Sequence, residues 1–237
     1  MPQICGRDAS TANERWRRYP VTSRSLEPPL AHTVAAGIAH VTVAPKILYP
    51  GTPVALISTC NPDGTANLAP MSSFWALGWS VMLGLGGAGQ TSANLRRTGE
   101  CVINLPGPGL WPAVERLAPL TGRNPPPAHV LAYGGRFAPD KFAASGLFPV
   151  ASEIVAPPRV AECPLQLEAR LVGSRSLVDE PDCLAAEVRV LRVHADPRII
   201  EGDGGRIDPA RWRPLIYSFR RYFGLGEELG RSFRENR

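Results

Sequence analysis

Two short stretches carry residue types that could do chemistry. The first is Asn67-Leu68-Ala69-Pro70-Met71-Ser72-Ser73, running into Phe74-Trp75, and the second is Gly86-Gly87-Ala88-Gly89-Gln90-Thr91-Ser92-Ala93-Asn94. The first is odd for a strand, because it mixes small and polar residues with a proline that cannot donate to a ladder and so is confined to edges and bulges. Small residues let a planar ligand lie against the main chain, where N–H and C=O groups read its edge. Ser72 and Ser73 add hydroxyls that both donate and accept. From composition alone, an edge strand kinked at Pro70 accounts for the stretch more simply. The second is a glycine-rich turn feeding a helix start, where unpaired N–H groups with partial positive charge suit an anion. It lacks the Lys-Ser/Thr ending of a Walker A loop and the spacing of a dinucleotide fingerprint. Such a loop taken singly is structural more often than not; the two stretches together are more specific.

The remaining reactive types are scattered. Cys5, Cys60, Cys101, Cys163 and Cys183 are odd in number and contain no Cys-x-x-Cys pair. They read as small core residues in a reducing cytoplasm rather than as a disulfide framework or zinc site. His32, His40 and His129 have no spaced partners. His194 ends a strand, and a half-buried structural histidine is the simpler reading than one that meets a nicotinamide. Trp212, Tyr217, Phe219, Tyr222 and Phe223 near the C-terminus read as packing or dimer contacts, with Tyr222 or Phe223 over a planar ligand as the alternative.

The elements that must position the two stretches can be read in order. The apolar run Pro53–Cys60 stops at Asn61-Pro62-Asp63-Gly64, a strong turn signal, and Thr65–Ser73 returns as a hairpin partner. Ser80–Leu85 is a further strand. Thr91 or Ser92 is placed to cap a helix over Ala93–Thr98, ended by Gly99, before a strand over Cys101–Leu105. Short helices are expected at Trp111–Leu117 and at Asp140–Ser145, the second capped by Asp140 and stopped by Gly146. Pro164–Leu171 alternates as a half-buried strand, with Leu165, Leu167, Ala169 and Leu171 inward and Gln166, Glu168 and Arg170 outward. In Glu187–His194 the apolar phase shifts from Val188 and Val190 to Leu191 and Val193, which predicts a β-bulge. Asp203-Gly204-Gly205 is a turn, and Asp208-Pro209 opens a brief helix through Trp212. This pattern is mainly β, a β-barrel with short helices. We divide it into an N-terminal arm (1–30), one barrel domain (31–205) and a C-terminal tail (206–237) that packs on the barrel or a partner subunit.

Composition supports that class. The 237 residues include 25 Pro and 23 Gly, which favour turns and short strands, and 44% are hydrophobic, enough for a real core. The net charge of +5 sits at the ends: residues 1–30 carry five Arg against three acids, and residues 206–237 carry eight Arg against four. The middle has 13 basic and 14 acidic residues, which argues against a nucleic-acid footprint across the fold. There is no apolar run long enough for a transmembrane helix, and the first thirty residues have no secretory h-region. The expectation is a cytoplasmic protein with neither nucleic acid nor membrane as partner.

The order Pro50-Gly51-Thr52-Pro53-Val54, Asn61-Pro62-Asp63-Gly64-Thr65-Ala66-Asn67, Thr91-x-x-Asn94-Leu95 and Thr98-Gly99-Glu100-x-Val102-x-Asn104-Leu105 resembles the flavin reductase-like, flavoredoxin-like FMN-binding split-barrel family. Lys141-Phe142-x-x-Ser145-Gly146-Leu147, Glu162-Cys163-Pro164 and Val193-His194 extend the likeness over most of the chain. The resemblance implies a split barrel in a homodimer that clasps FMN, with FAD as the alternative, at the subunit interface. The ring edge would be read by the main chain of Asn67, Leu68, Ala69, Pro70, Met71, Ser72 and Ser73. The phosphate would lie near Gly86, Gly87, Gln90, Thr91 and Asn94. Relatives often carry Lys or Arg where this chain has Gln90, so another cation must compensate; Arg96, Arg97 and Arg220 are the candidates. The implied activity is an NAD(P)H-dependent flavin reductase with a monooxygenase as partner. A non-enzymatic FMN electron carrier or flavin store is the alternative, since no nicotinamide signature is visible.

Overall fold

Asn61-Pro62-Asp63-Gly64 reverses the chain as its residue types require. Gly64 sits at φ +84°, and the Asp63 carboxylate accepts from the N–H and the hydroxyl of Thr65. The turn joins Ala55–Cys60 (β1) to Ala66–Met71 (β2) in antiparallel register, Ala55 opposite Met71 and Cys60 opposite Ala66. Because β1 is covered on both faces, its apolar run is continuous rather than alternating. Ala55 and Ile57 enter one core cluster and Leu56 enters another.

The computed structural model describes residues 32–33, 39–202 and 205–233, and the chain divides into two units, Met1–Lys46 and Ile47–Arg237. In the first, His32–Thr33 pairs antiparallel with Ala39–His40. The arm expected over residues 1–30 lies outside the described residues, as do Asp203 and Gly204 of the expected turn.

The second unit is built on a seven-stranded antiparallel sheet. After the hairpin come Phe74–Leu77 (β3), Ser80–Gly86 (β4), Glu100–Leu105 (β5), Leu165–Ser176 (β6) and Cys183–Ala195 (β7). The spatial order is β2-β1-β5-β6-β7-β4-β3. The two edge strands, β2 and β3, are consecutive in the chain and separated only by Ser72 and Ser73, so the sheet must curl until its edges meet. Ile57, Leu83, Ile103, Ala169 and Ala186, from five different strands, accordingly share one cluster inside the curl. At the seam the Gly84 N–H donates to the Ser73 carbonyl at 2.6 Å. A Cβ on Gly84 would lie 2.8 Å from the Ser73 Cβ, so only glycine lets β4 pass this close to the two-residue link between the edges. Pro70 is on an edge strand, where its missing N–H breaks no ladder.

The bulge lies where the apolar phase shift placed it: Glu168 faces Arg192 and Ala169 faces Val190, leaving Leu191 as the extra residue. The inward and outward assignment of β6 needs correction. Gln166 and Glu168 are buried, Glu168 completely, because the segment after β5 folds over that face. The Glu168 carboxylate accepts from the main-chain N–H groups of Glu153, Ile154 and Val155 and pairs with His194 Nε2 at 2.6 Å. His194 is therefore a structural partner of a buried acid.

The first helix, α1 (Gln90–Thr98), starts earlier than expected, with Gly89 rather than Thr91 or Ser92 at its N-cap. Those hydroxyls are used otherwise: Ser92 donates to the Gly86 carbonyl and Thr91 accepts from Asn67. Gly99 ends the helix in the left-handed conformation, as read from the sequence. Trp111–Leu117 (α2), Ala128–Ala132 (α3) and Lys141–Ser145 (α4) follow, with Asp140 capping α4 by accepting from the Ala143 N–H. The Arg116 side chain of α2 donates to the Ser145 carbonyl at the end of α4. Residues of α2 and α4 pack on the outer face of β1 and β2 with Leu56, Leu68, Val160 and Leu215. Each such fully buried aliphatic side chain stabilises the fold by about 1.5–3 kcal/mol. Asp208 caps a single turn through its carboxylate and carbonyl, and no helix continues from it. Ile216–Ser218 pairs with Arg221–Phe223 and with Pro50–Pro53, which lays a small three-stranded sheet beside the barrel. No helix among the described residues is long and apolar enough to cross a membrane.

Candidate functional site

A cleft of about 680 Å³ opens along the edge strand β2, bordered by the start of α1, by α2 and α4, and by the C-terminal hairpin. That volume is in the range of small-molecule and cofactor sites. Of the residues singled out in the sequence, Asn67, Ala69, Pro70, Met71, Ser72, Ser73, Gly86, Gln90 and Thr91 line it. Leu68, Gly87 and Asn94 do not. Leu68 alternates to the opposite face of β2 and is fully buried against α2 and α4. Gly87 is held away by donating to the Asp182 carbonyl. Asn94 is buried behind the wall.

Asn94 belongs to a polar network that fixes the head of the cleft. Its Nδ2 donates to Thr59 Oγ1 and Asn61 Oδ1, and its Oδ1 accepts from Gln90 Nε2 at 2.8 Å. Asn67 Nδ2 donates to Thr59 Oγ1 and Thr91 Oγ1. Two features of this network are incomplete. Asn67 Oδ1 is buried without a hydrogen-bond partner, and α1 begins with no side-chain cap. Buried polar atoms are almost always satisfied, and an amide oxygen such as Asn67 Oδ1 is satisfied by a hydrogen-bond donor.

Four cations stand as candidates to replace the one absent at position 90. Arg96 and Arg97 occupy the last turn of α1, at the opposite end from the cleft, and Arg97 is engaged with the Cys60 carbonyl. Arg220 lines the cleft but is exposed at its rim. Lys141, the first residue of α4, lines the cleft beside Asn67 and Gln90 and is only 3% exposed. Its ammonium has no hydrogen-bond or ion-pair partner among the described residues, and burial alone pushes its pKa down from 10.5 to about 8. An unpaired charge on a buried side chain is costly, and an anion in the cleft would offset that cost. The sequence offered Lys141 only as part of a motif, since its burial depends on packing between distant segments.

Gly122 completes this end. A Cβ there would lie 2.5 Å from Asn67 Oδ1 and 3.2 Å from Gln90 Cγ, so the main chain passes directly over the network. At the other end Tyr49, Tyr217 and Tyr222 form an aromatic wall, with ring centroids 5.7 Å and 5.5 Å apart in successive pairs. Tyr49 Oη is 2.5 Å from Ser73 Oγ. Tyr222 donates to Glu115, and burial together with that carboxylate holds its phenol above the ordinary range. The turn between Tyr217 and Tyr222 places Phe219 and Arg220 at φ 42° and 69°, a conformation that non-glycine residues adopt at a cost. Tyr217 and Tyr222 pack against the core cluster of Leu56 and Leu68, as read from the sequence, and they also line the cleft, where Tyr222 was the alternative reading.

The residues fit a flavin phosphate and a planar ring: an unpaired cation and an uncapped helix start at one end, small residues and aromatic faces at the other. Comparison with known proteins agrees with that fit. The chain is 45% identical over 192 residues to the uncharacterized protein YdfE of Bacillus subtilis strain 168, covering 81% of this chain and 92% of that one. Its structure is similar to flavoredoxin of Desulfovibrio vulgaris (Miyazaki F), with TM-score 0.66 and 24% identity over 82% of this chain and 97% of the other. It is also similar to nitrilotriacetate monooxygenase component B from Bacillus cereus, with TM-score 0.62 and 23% identity over 78% and 89% of the two chains. Residues 50–226 match the flavin reductase like domain, and the chain is therefore a member of the flavin reductase-like family, built as a split barrel.

Proposed function

We propose that the cleft holds FMN and that the protein is an NAD(P)H-dependent flavin reductase. The observation that carries this reading is the buried side chain of Lys141, without a partner among the described residues, together with the uncapped start of α1. A phosphate monoester, with a charge of about −1.5 to −2 and three acceptor oxygens, satisfies the cation and the helix start at once. Thr91 accepts from Asn67 and keeps its own hydroxyl proton for a phosphate oxygen. The ring would lie along Ala69–Ser73, where small side chains and an edge strand expose main-chain groups. Tyr49, Tyr217 and Tyr222 supply flat apolar faces at that end. Bound flavin would supply the redox chemistry itself; the chain orients it, screens it from water and neutralises its phosphate. No side chain in the cleft is required as a general base, and we assign none.

The remaining assignments follow from the same reading. A homodimer with the flavin at its interface is supported by the apolar edge next to the seam, where Trp75, Leu77 and Trp79 are 59%, 76% and 51% exposed. A monooxygenase partner is suggested by the likeness to nitrilotriacetate monooxygenase component B. A reductase of this kind works in the cytoplasm.

The test is direct. The purified protein should be yellow, release FMN on denaturation, and oxidise NADH or NADPH with added FMN. A colourless protein that takes up no flavin would overturn the reading. A yellow protein inert to both nicotinamides would instead be an electron carrier or flavin store.

A further inference from the structure

Four aromatic rings stand in a row from the cleft to the surface. Tyr49 begins it, within hydrogen-bond distance of Ser73 at the seam. Its ring centroid is 5.7 Å from that of Tyr217, which is 5.5 Å from Tyr222, which is in turn 6.2 Å from Trp111. The three tyrosines line the cleft. Trp111 lies outside that lining; it opens α2 and is 50% exposed.

Aromatic pairs at such separations contribute to packing, and that accounts for each contact taken singly. It does not account for their order, with one end of the row in the cleft and the other in solvent. Electron transfer between side chains weakens steeply with the gap between them, so rings in near contact exchange an electron far more readily than rings set apart. Two further features suit such an exchange. A phenol gives up an electron easily when its proton has somewhere to go, and Tyr222 Oη donates to the Glu115 carboxylate at 2.9 Å. An indole gives up an electron without first losing a proton, and Trp111 stands next to Tyr222 where solvent reaches it.

We propose that Tyr49, Tyr217, Tyr222 and Trp111 form a one-electron path between the flavin cleft and solvent, with Trp111 as its outer terminus. The inference rests on the flavin reading of the cleft. When blue light makes a bound flavin strongly oxidising, the tyrosine wall gives up one electron to it. The deficit settles on Tyr222, whose phenol proton passes to Glu115. Trp111 then refills Tyr222, which takes its proton back. The indole, left one electron short, is restored by a one-electron reductant in solution such as ascorbate. The net change is one electron moved from that reductant to the flavin, and each side chain ends as it began.

Laser-flash absorption of the FMN-loaded full-length chain, in the absence of oxygen, tests the path. The wild type should show the transient absorption of an oxidised tryptophan after each flash, and ascorbate should shorten its lifetime. Trp111→Phe should lose that signal and keep its affinity for FMN. Tyr222→Phe, measured at saturating FMN, should lose it too, because a phenyl ring does not give up the electron. Glu115→Gln keeps an acceptor for the phenol but no base for its proton, and should lower the yield. No tryptophan signal in the wild type, or one that survives Trp111→Phe or Tyr222→Phe, would overturn the path and leave the flavin cleft standing. A chain that takes up no flavin would overturn both readings.

Discussion

Replacing Lys141 by Met separates what the side chain does for the ligand from what it costs the fold. The Lys141 side chain is buried, and burial alone lowers its pKa from 10.5 to about 8. That lowering corresponds to about 3 kcal/mol of lost hydration while the charge is kept. The sign follows from proton binding. Between pH 8 and 10.5 the unfolded chain binds the proton that the folded chain has released, so stability rises across that window and the penalty is full below it. Lys141→Met removes the penalty. The ligand-free variant should melt several degrees higher than wild type at pH 7, at about 2–4 °C per kcal/mol for a domain of this size. The gap should close as pH approaches 10. Comparing variant with wild type cancels the buried thiols Cys101 and Cys163, whose raised values act in both proteins. The same substitution should weaken FMN by about 10- to 150-fold, the equivalent of a charge-assisted hydrogen bond of about 1.5–3 kcal/mol, and riboflavin hardly at all. In wild type the advantage of FMN over riboflavin should decline above pH 8, where free Lys141 loses its proton. Differential scanning calorimetry of stripped protein and fluorescence titration over pH 6–10 measure both halves. Equal weakening of FMN and riboflavin, or a stability gap that does not vary with pH, would refute the reasoning.

Two further substitutions probe other parts of the structure. Thr91→Ala together with Asn94→Ala should weaken FMN more than riboflavin, Thr91 through the phosphate and Asn94 by releasing Thr59, Asn61 and Gln90; an equal effect on both ligands would place the phosphate elsewhere. Glu168→Gln should destabilise the fold by about 3 kcal/mol at neutral pH, since it leaves three main-chain donors and His194 without their carboxylate. Burial raises the Glu168 pKa, but the N–H groups of Glu153, Ile154 and Val155 and the His194 bond outweigh it and hold the carboxyl below 4.5. The stability it confers is therefore present above pH 4.5 and lost as pH falls through the depressed value, and urea midpoints of the variant should lose that acid-limb dependence.

What was legible in the sequence was what local chemistry decides. Asn61-Pro62-Asp63-Gly64 turned where its residue types demand, Asp140 capped α4, and the phase slip at Leu191 marked the bulge. The proline at 70 signalled an edge strand, which the topology supplies. The readings that failed depend on segments far apart in the chain. Thr91 and Ser92 did not cap α1 because Asn67 and Gly86, 24 and 6 residues away, claim their hydroxyls. Gln166 and Glu168 looked solvent-facing because alternation records one covered face, and the cover over the second comes from residues 151–160. At the site, the edge strand and glycine loop were visible as residue types. Tyr222 was visible only as an alternative, and Lys141, Tyr49 and Tyr217 were not, because only the closed barrel brings position 49, α4 and the C-terminal hairpin to one cleft.

The two-residue seam at Ser72–Ser73 also bears on how such a protein can diverge. A link of only two residues joins the opposite edges of the sheet, so a single inserted residue there would unzip the rim against which a ligand would rest. The excursion from Pro106 to Pro164 leaves and re-enters between neighbouring strands, β5 and β6. It can lengthen or shorten with little entropic penalty while carrying α2, α3 and α4. New substrate preferences should therefore arise by length change in that excursion, whereas the seam can drift in residue type but not in length.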